Sequence, residues 1–369
     1  VNNKQKATDE AILKAANKFP FSQMAAAKEA GLGLSRYRER IRVLETEGKI
    51  APPDPTVRAT STLRDAEGNL VLQWTKADHD KRSAVQWAEA VKDVFSATTP
   101  VQKITAPEHT LKELLTVYPI GDHHTAMYAW AEEAGESYDI SIAENLLTAA
   151  AHHLIDISPA AEIGLIVNVG DFFHVDQHRP ETTRSHNALD VDTRYAQMIH
   201  AGVAMLRTFV DSALRKHKHV RVINACGNHD DVGALWLSLT LALLYEKNPR
   251  VSIDQSPAKF VYHQHGKVLL GVTHGDTAKL DKLAGVMAAD QPALWGATAH
   301  RYWLTGHIHQ RKVLEQPGCM VESFRTLAAR DAWATAAGYR SGRDMTSLVF
   351  HKVHGEVARH RFDVGMLEE

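Results

Sequence analysis

Five short apolar runs in the last two thirds of the chain stop on the same kinds of residue, and this recurrence constrains the fold more than any other feature. LKELLTVYPI (111–120) leads to Asp122, His123 and His124, EIGLIVNV (162–169) to Gly170 and Asp171, and HVRVINAC (219–226) to Gly227, Asn228, His229 and Asp230. KVLLGVT (267–273) leads to His274, Gly275 and Asp276, and HRYWLT (300–305) to Gly306, His307, Ile308 and His309. Runs of this length and composition read as buried strands, and the stretches between them, with the longest helix predicted over 192–216, read as helices. Alternating strand and helix predicts an α/β layered domain. In open α/β sheets ligands gather at the carboxyl ends of strands, so five chemically similar strand ends predict one shared site.

The residue types say what such a site could hold. Asp122 and Asp171 offer carboxylates, Asn228 an amide oxygen, and His124, His274, His307 and His309 imidazole nitrogens, with no thiolate among them. This mixture suits a borderline or hard divalent ion such as manganese, iron or zinc, and not a cysteine-rich structural zinc centre. The donors are too many for one ion. With Asp171 bridging, two ions can be filled and still leave positions for water and substrate. Cys226 and Cys319 are the only cysteines and are expected to be small buried apolar residues.

The first fifty residues follow a different pattern. TDEAILKAANKF, starting on a Thr8/Asp9 cap signal, SQMAAAKEA, ending at Gly31, and LSRYRERIRVLETEG predict three short helices. After APPDP, whose composition suits a linker, the alternation in TSTLRDAEGNLVLQWTK about a Gly-Asn turn predicts a β-hairpin. Three helices and a hairpin resemble a winged helix-turn-helix. Ile41 and Leu44 share one face of the third helix, and Arg36, Arg38, Arg40 and Arg42 occupy much of the rest. Residues 1–50 hold ten Lys/Arg against six Asp/Glu, whereas the whole chain has 42 against 44. The module is therefore expected to contact nucleic acid through these arginines, the competing roles being protein contact or a passive appendage. The predicted organisation is a module over 1–80, a connector over 81–112 and an α/β domain over 113–369. No charged leader with an apolar core opens the sequence and no run of 18 apolar residues occurs, so a cytoplasmic protein without membrane spans is expected.

The ordered strings DHH (122–124), GDFFH (170–174), GNHD (227–230), HGD (274–276) and GHIH (306–309) resemble the calcineurin-like metallophosphoesterases over roughly residues 113–355. The resemblance implies a layered αββα sandwich and two divalent ions, most readily Mn2+, with Fe, Zn, Ni or Mg as alternatives. It implies Asp122, His124 and His309 on the first metal, Asp171 bridging, and Asn228, His274 and His307 on the second. His229 would contact the phosphate or protonate the leaving oxygen, with Asp230 orienting it. The implied reaction is in-line attack of a metal-bound hydroxide on a phosphoester.

The form Gly-Asp-x-Phe-His at 170–174 is similar to SbcD-type repair nucleases, where the residue matching His174 assists at the leaving group or strand; a structural hydrogen bond is the other role open to it. The polar segment 174–194 offers Arg179, Arg184 and His186 to a substrate, and the glycine-flanked loop 338–344 offers Arg340 and Arg343. The fusion to a helical module also resembles phage- or prophage-encoded metallophosphoesterases. Together these imply a DNA or RNA phosphodiesterase, with small nucleotides, cyclic nucleotides or phosphoproteins as the alternative substrates. No coiled-coil insertion that would recruit an ATPase arm is visible, so the chain is expected to act alone or as a small homo-oligomer.

Overall fold

The structure, a computed structural model, describes residues 3–18, 23–46, 57–64, 70–77 and 103–367 except 184. The chain divides into two compact units, Val1–Glu89 and Ala90–Glu369.

In the first unit, helices α1 (Asn3–Lys18), α2 (Gln23–Glu29) and α3 (Leu34–Thr46) precede the strands β1 (Val57–Arg64) and β2 (Leu70–Ala77). The two strands pair antiparallel. The turn and the APPDP segment lie outside the described residues, as do residues 81–102 of the expected connector. The helices close around Ile12, Ala15, Ala26, Ala27, Tyr37, Ile41 and Leu44, so the apolar face expected of the third helix does face a core. The first helix begins five residues before Thr8, and Asp9 is not its cap. Its carboxylate instead receives Nε and Nη2 of Arg40 at 2.7 and 2.6 Å.

In the second unit the elements follow in the order β3 (Leu111–Ile120), α4 (Ala131–Ala134), α5 (Ile140–Ile157), β4 (Ala161–Asn168), α6 (Tyr195–Lys216), β5 (His219–Asn224), α7 (Gly233–Leu244) and β6 (Val251–Ile253). Next come β7 (Val261–His265), β8 (Val268–Val272), α8 (Leu283–Asp290), α9 (Pro292–Ala297) and β9 (His300–Thr305). The chain ends with β10 (Lys312–Gln316), β11 (Cys319–Ser323), α10 (Ala332–Ala336), β12 (Asp344–His351) and β13 (Gly355–Asp363). Among the described residues the strands make one sheet in the order β13-β12-β3-β4-β5-β6 and another in the order β10-β11-β9-β8-β7.

Strand alternation turns these sheets into layers. Leu115 and Val117 of β3 and Leu165 and Val167 of β4 share one apolar cluster with Val268, Leu270 and Val272 of β8 and Leu304 of β9. The two sheets therefore pack face to face. Residues of opposite parity face the helices: Tyr118 meets Phe209 of α6, and Leu269, Trp303 and Val321 pack with Leu283 and Met287 of α8. The result is helix, sheet, sheet, helix, the αββα arrangement that was expected.

The register aligns the strand ends. Ile120 pairs with Asn168 and Asn168 with Asn224 in the parallel ladder β3-β4-β5, so the chain leaves all three strands at one level. In the other sheet Val272 pairs with Leu304. His274 and Gly306 then each lie two residues beyond their pair, and the Gly306 N–H donates to the His274 carbonyl at 2.9 Å.

Candidate active site

Three strand ends of one sheet and two of the other meet at a single edge. Asp122 is fully buried, and both its oxygens accept the N–H of His307, at 2.8 and 3.0 Å, which ties the end of β3 to the end of β9. Asp171 accepts the N–H of His229 on Oδ1 at 2.8 Å, and its Oδ2 lies 3.1 Å from His274 Nε2. That same His274 Nε2 stands 3.1 Å from Asn228 Oδ1. The other ring nitrogen of His274 donates to the Val169 carbonyl at 3.0 Å, which fixes the ring with Nε2 toward the acidic group. On the other side of the cluster, His124 Nε2 and His309 Nε2 are 3.1 Å apart, and His309 Nε2 is 3.6 Å from Asp122 Oδ1.

The donors fall into groups that could each hold a metal ion: Asp122, His124 and His309 in one, and Asp171, His274 and His307 in another, with Asn228 beside the latter through His274. Atoms coordinated at about 2.1 Å stand roughly 3 Å apart around one ion; the closest donor pairs here are 3.1 to 3.6 Å apart, in groups whose atoms all lie within 4.8 Å of one another. Two imidazole nitrogens facing each other, as in His124 and His309, share one hydrogen at most or converge on a cation. A further group brings together His124, His174 and His229.

The backbone carries an independent mark. Asp122 (φ 28°), His124 (49°), Asp171 (53°), His307 (69°) and His309 (50°) are all left-handed, as are Ala126 and His186 among the other described non-glycine residues. A non-glycine residue rarely adopts this conformation, at a cost of about 1–3 kcal/mol each, and such residues cluster where function demands a particular side-chain direction. Glycines make room for the ligands: a Cβ on Gly227 would lie 2.0 Å from Asp171 Oδ1, and one on Gly306 would lie 2.6 Å from Asp122 Oδ2.

Burial and neighbouring charge divide the titratable groups. Burial raises Asp122 to about 7 against the pull of His274. Burial would also raise Asp171, but His274 and the other imidazoles outweigh it and hold that carboxyl well below the usual range. His274 is depressed by burial yet raised to about 10 by the charge and hydrogen bond of Asp171 and by Asp122. Burial and the adjacent imidazoles keep His124 well below its ordinary value. The carboxylates thus attract positive charge that most of the surrounding imidazoles cannot supply as protons.

The structure gives several expected site residues particular partners. Asp230 bonds to backbone and not to the His229 ring: its oxygens accept the N–H groups of Asp171, Phe172, Phe173 and Gly227, at 2.8 to 3.2 Å, which stitches the end of β4 to that of β5. His229 is held instead through Nδ1, 2.8 Å from the His174 carbonyl. His174 is buried, with its Nδ1 3.2 Å from His124 Nδ1. Arg343 is drawn inward, its Nε and Nη2 on the Leu327 carbonyl and Nη1 on Glu136, and Arg340 donates to the carbonyls of Thr335 and Tyr339. Arg40 binds Asp9, and Arg36, Arg38 and Arg42 are exposed. In the 174–194 loop Arg179 is exposed and His186 faces Glu181 at 3.4 Å; Arg184 lies outside the described residues. His123 is fully buried beside Phe172, and burial lowers it to about 3. Both cysteines are buried and free, as expected.

Two supporting residues were not foreseen. Asp176 accepts the N–H groups of Val232 and Gly233 at 2.8 and 2.7 Å, anchoring the chain after GNHD, and Thr326 donates to the Asp122 carbonyl at 2.6 Å. In the sequence both look like ordinary polar loop residues. Only their partners, 56 and 204 positions away, reveal them.

No family model and no curated protein matches the chain. Among solved structures it is similar to a conserved protein of Streptococcus pneumoniae described as a predicted phosphoesterase, at 9% identity over 69% of this chain and 99% of that one, with a TM-score of 0.29. A zinc complex of Vps29 from Entamoeba histolytica matches at 15% identity over 67% and 98%, with a TM-score of 0.28. Phosphopantetheinyl hydrolase from Mycobacterium tuberculosis matches at 9% over 62% and 94%, with a TM-score of 0.27. Likenesses of this size assign neither family nor activity.

Proposed function

We propose that the second unit is a two-metal phosphodiesterase and that its substrate is a nucleic acid. The observation that carries the reading is the pair of three-residue donor groups at one sheet edge, five of the six donors on left-handed backbone, joined through Asp122 and His274, whose Oδ1 and Nδ1 are 3.8 Å apart. Asp122, His124 and His309 would hold one ion; Asp171, shared by both, would hold the other together with Asn228, His274 and His307. Divalent ions there would supply Lewis acidity, lowering a water's pKa toward about 7 and opposing the phosphate charge.

The chain's own residues do the rest. The His229 ring lies 4.9 Å from that of His124, beside the first donor group. With Nδ1 engaged by a carbonyl, it can hold or deliver a proton only at Nε2, which suits it to the leaving oxygen. Asp230, through its four amides, keeps Asp171 and the 227–229 backbone in fixed relation.

The nucleic-acid assignment is supported by the basic excess of residues 1–50, the exposed Arg36, Arg38 and Arg42, and the exposed Arg179 on the loop after Asp171. A second reading, hydrolysis of small nucleotides, cyclic nucleotides or phosphoproteins, is favoured by the internal use of Arg40 and Arg343. The test is turnover with Mn2+ of single- and double-stranded DNA, RNA, a bis-ester and a mono-ester. Wild type would be compared with Asp171→Asn, His229→Gln and the triple change of Arg36, Arg38 and Arg42 to Ala. Polynucleotide cleavage abolished by the first two and weakened by the third supports the nuclease reading. Turnover of small esters alone, indifferent to the triple change, moves the assignment to the second reading.

A further inference from the structure

We propose that His174 is a positioning residue: its ring accepts a hydrogen bond from Nδ1–H of His124 and thereby sets the tautomer and angle with which His124 meets the first metal. This rests on reading the donor cluster as a metal centre. His124 presents Nε2 to His309, at 3.1 Å, and Nδ1 to His174 Nδ1, at 3.2 Å. A nitrogen that gives its lone pair to a cation holds no hydrogen, so the hydrogen of a ligating His124 is on Nδ1. It then points at His174 Nδ1, which must be the acceptor, and the hydrogen of His174 is on Nε2. The assignment leaves an Nε2–H without a hydrogen-bond partner among the described residues, in a residue 2% exposed, which is a cost the His124 bond must offset.

The backbone holds the two rings together. His124 N–H donates to the Asp171 carbonyl, Thr125 N–H to the Phe172 carbonyl and His174 N–H to the Thr125 carbonyl, so the segments after β3 and β4 run side by side. The rings meet edge to face with centroids 5.1 Å apart. The carbonyl of His174 accepts from His229 Nδ1, and the two rings stack at 5.3 Å. One residue therefore orients a metal ligand through its ring and the proposed proton donor through its backbone. This is the part usually taken by a carboxylate or carbonyl behind a metal-bound histidine.

Two substitutions separate this role from packing and from direct catalysis. Asn places an oxygen acceptor near the Nδ1 position but leaves a gap; Leu keeps the volume and removes the acceptor. Calorimetric titration of the full chain with Mn2+ should show two ions for wild type, a 10–100-fold weakening of one site in His174→Leu, and affinity within a few-fold of wild type in His174→Asn. Equal weakening in both, or none in Leu, overturns the proposal. Loss of turnover in both with Mn2+ affinity intact also overturns it and makes His174 a catalytic residue. A third bound ion lost in both variants would assign His124, His174 and His229 to a metal site of their own and overturn it as well. If wild type binds no Mn2+, the metal reading itself fails. Should His174→Leu not fold, imidazole 15N spectra of wild type loaded with diamagnetic Zn2+ decide: hydrogen on His124 Nδ1 supports the proposal, and a bare Nδ1 there refutes it.

Discussion

Replacing Gly227 with alanine adds one methyl group, and the structure places that carbon 2.0 Å from Asp171 Oδ1 and 2.4 Å from the Asp171 backbone nitrogen. Contacts under about 3.0 Å are not tolerated by real Cβ atoms, so roughly 1 Å of movement is required. The side chain cannot simply swing away. Its Oδ1 is bonded to the His229 N–H, and the Asp171 N–H is bonded to Asp230, so relief must displace the ligand or separate the two strand ends. Overpacking of this kind costs about 1–3 kcal/mol. A displacement near 1 Å in a reacting site costs on the order of 100-fold in rate, and a disturbed ligand 10–100-fold in metal affinity. Gly285, in α8, offers the control, for a Cβ there meets nothing within 4 Å. The same chemical change at Gly285 should stabilise by about 0.5–1 kcal/mol through helix propensity. Thermal melts in EDTA, Mn2+ titration and turnover, run on both variants, should move in opposite directions for stability and only for Gly227→Ala in binding and rate. A Gly227→Ala protein with wild-type melting, affinity and turnover would refute the placement of Asp171 against the GNHD turn.

Other outcomes follow from the same contacts. Saturating Mn2+ should raise the melting temperature, by about 2.7 kcal/mol of stability at 100 times the dissociation constant, and EDTA should reverse it, as differential scanning would show. Burial lowers His217 to about 4 where Tyr118 and the Ala161 carbonyl engage its two ring nitrogens, so its unfolded form binds a proton that the folded form refuses. Stability from this residue is complete above pH 6.5 and falls by about 3 kcal/mol as the pH drops toward 4; His217→Gln should flatten that part of the denaturant-measured pH profile. Arg40→Ala should cost about 1 kcal/mol in the first unit by leaving Asp9 without its two-pronged partner, whereas Arg36→Ala should leave the melting curve unchanged.

What could be read from the sequence was whatever depended on neighbours along the chain. The strand runs were legible because both faces of β3, β4, β8 and β9 are covered, so their apolar residues are nearly continuous, and the observed bounds fall within two residues of the runs at either end. The chemistry at their ends was legible because each strand delivers its ligands within a few residues. Illegible were the uses of side chains whose partners are remote. Arg343 meets Glu136 from 207 positions away, Arg40 meets Asp9 from 31, and Asp230 collects two of its amides from 57 and 58. A basic residue in a glycine-flanked loop looks the same in a sequence whether it awaits a phosphate or clasps a carboxylate. The left-handed backbone at five ligands was equally hidden, since no residue at those positions is a glycine.

That hidden strain bears on how the site should be understood. A buried polar cluster kept only for stability would pair its charges and relax its backbone, because unpaired buried charge and left-handed residues both cost free energy. Here Asp171 and His274 form a close pair, but Asp122, with its oxygens on one backbone amide, is pushed up to about 7, and His124 and His309 face each other nitrogen to nitrogen. Replacing the acids by neutral isosteres should therefore relieve the metal-free protein even as it removes the proposed function. Asp122→Asn is expected to melt higher than wild type in EDTA at pH 8, where the wild-type carboxyl is largely ionised, and lower than wild type in Mn2+, where only the latter gains from binding. A variant that melts lower under both conditions would mean that Asp122 serves the fold by joining β3 to His307, and that the strain at this edge is structural in origin.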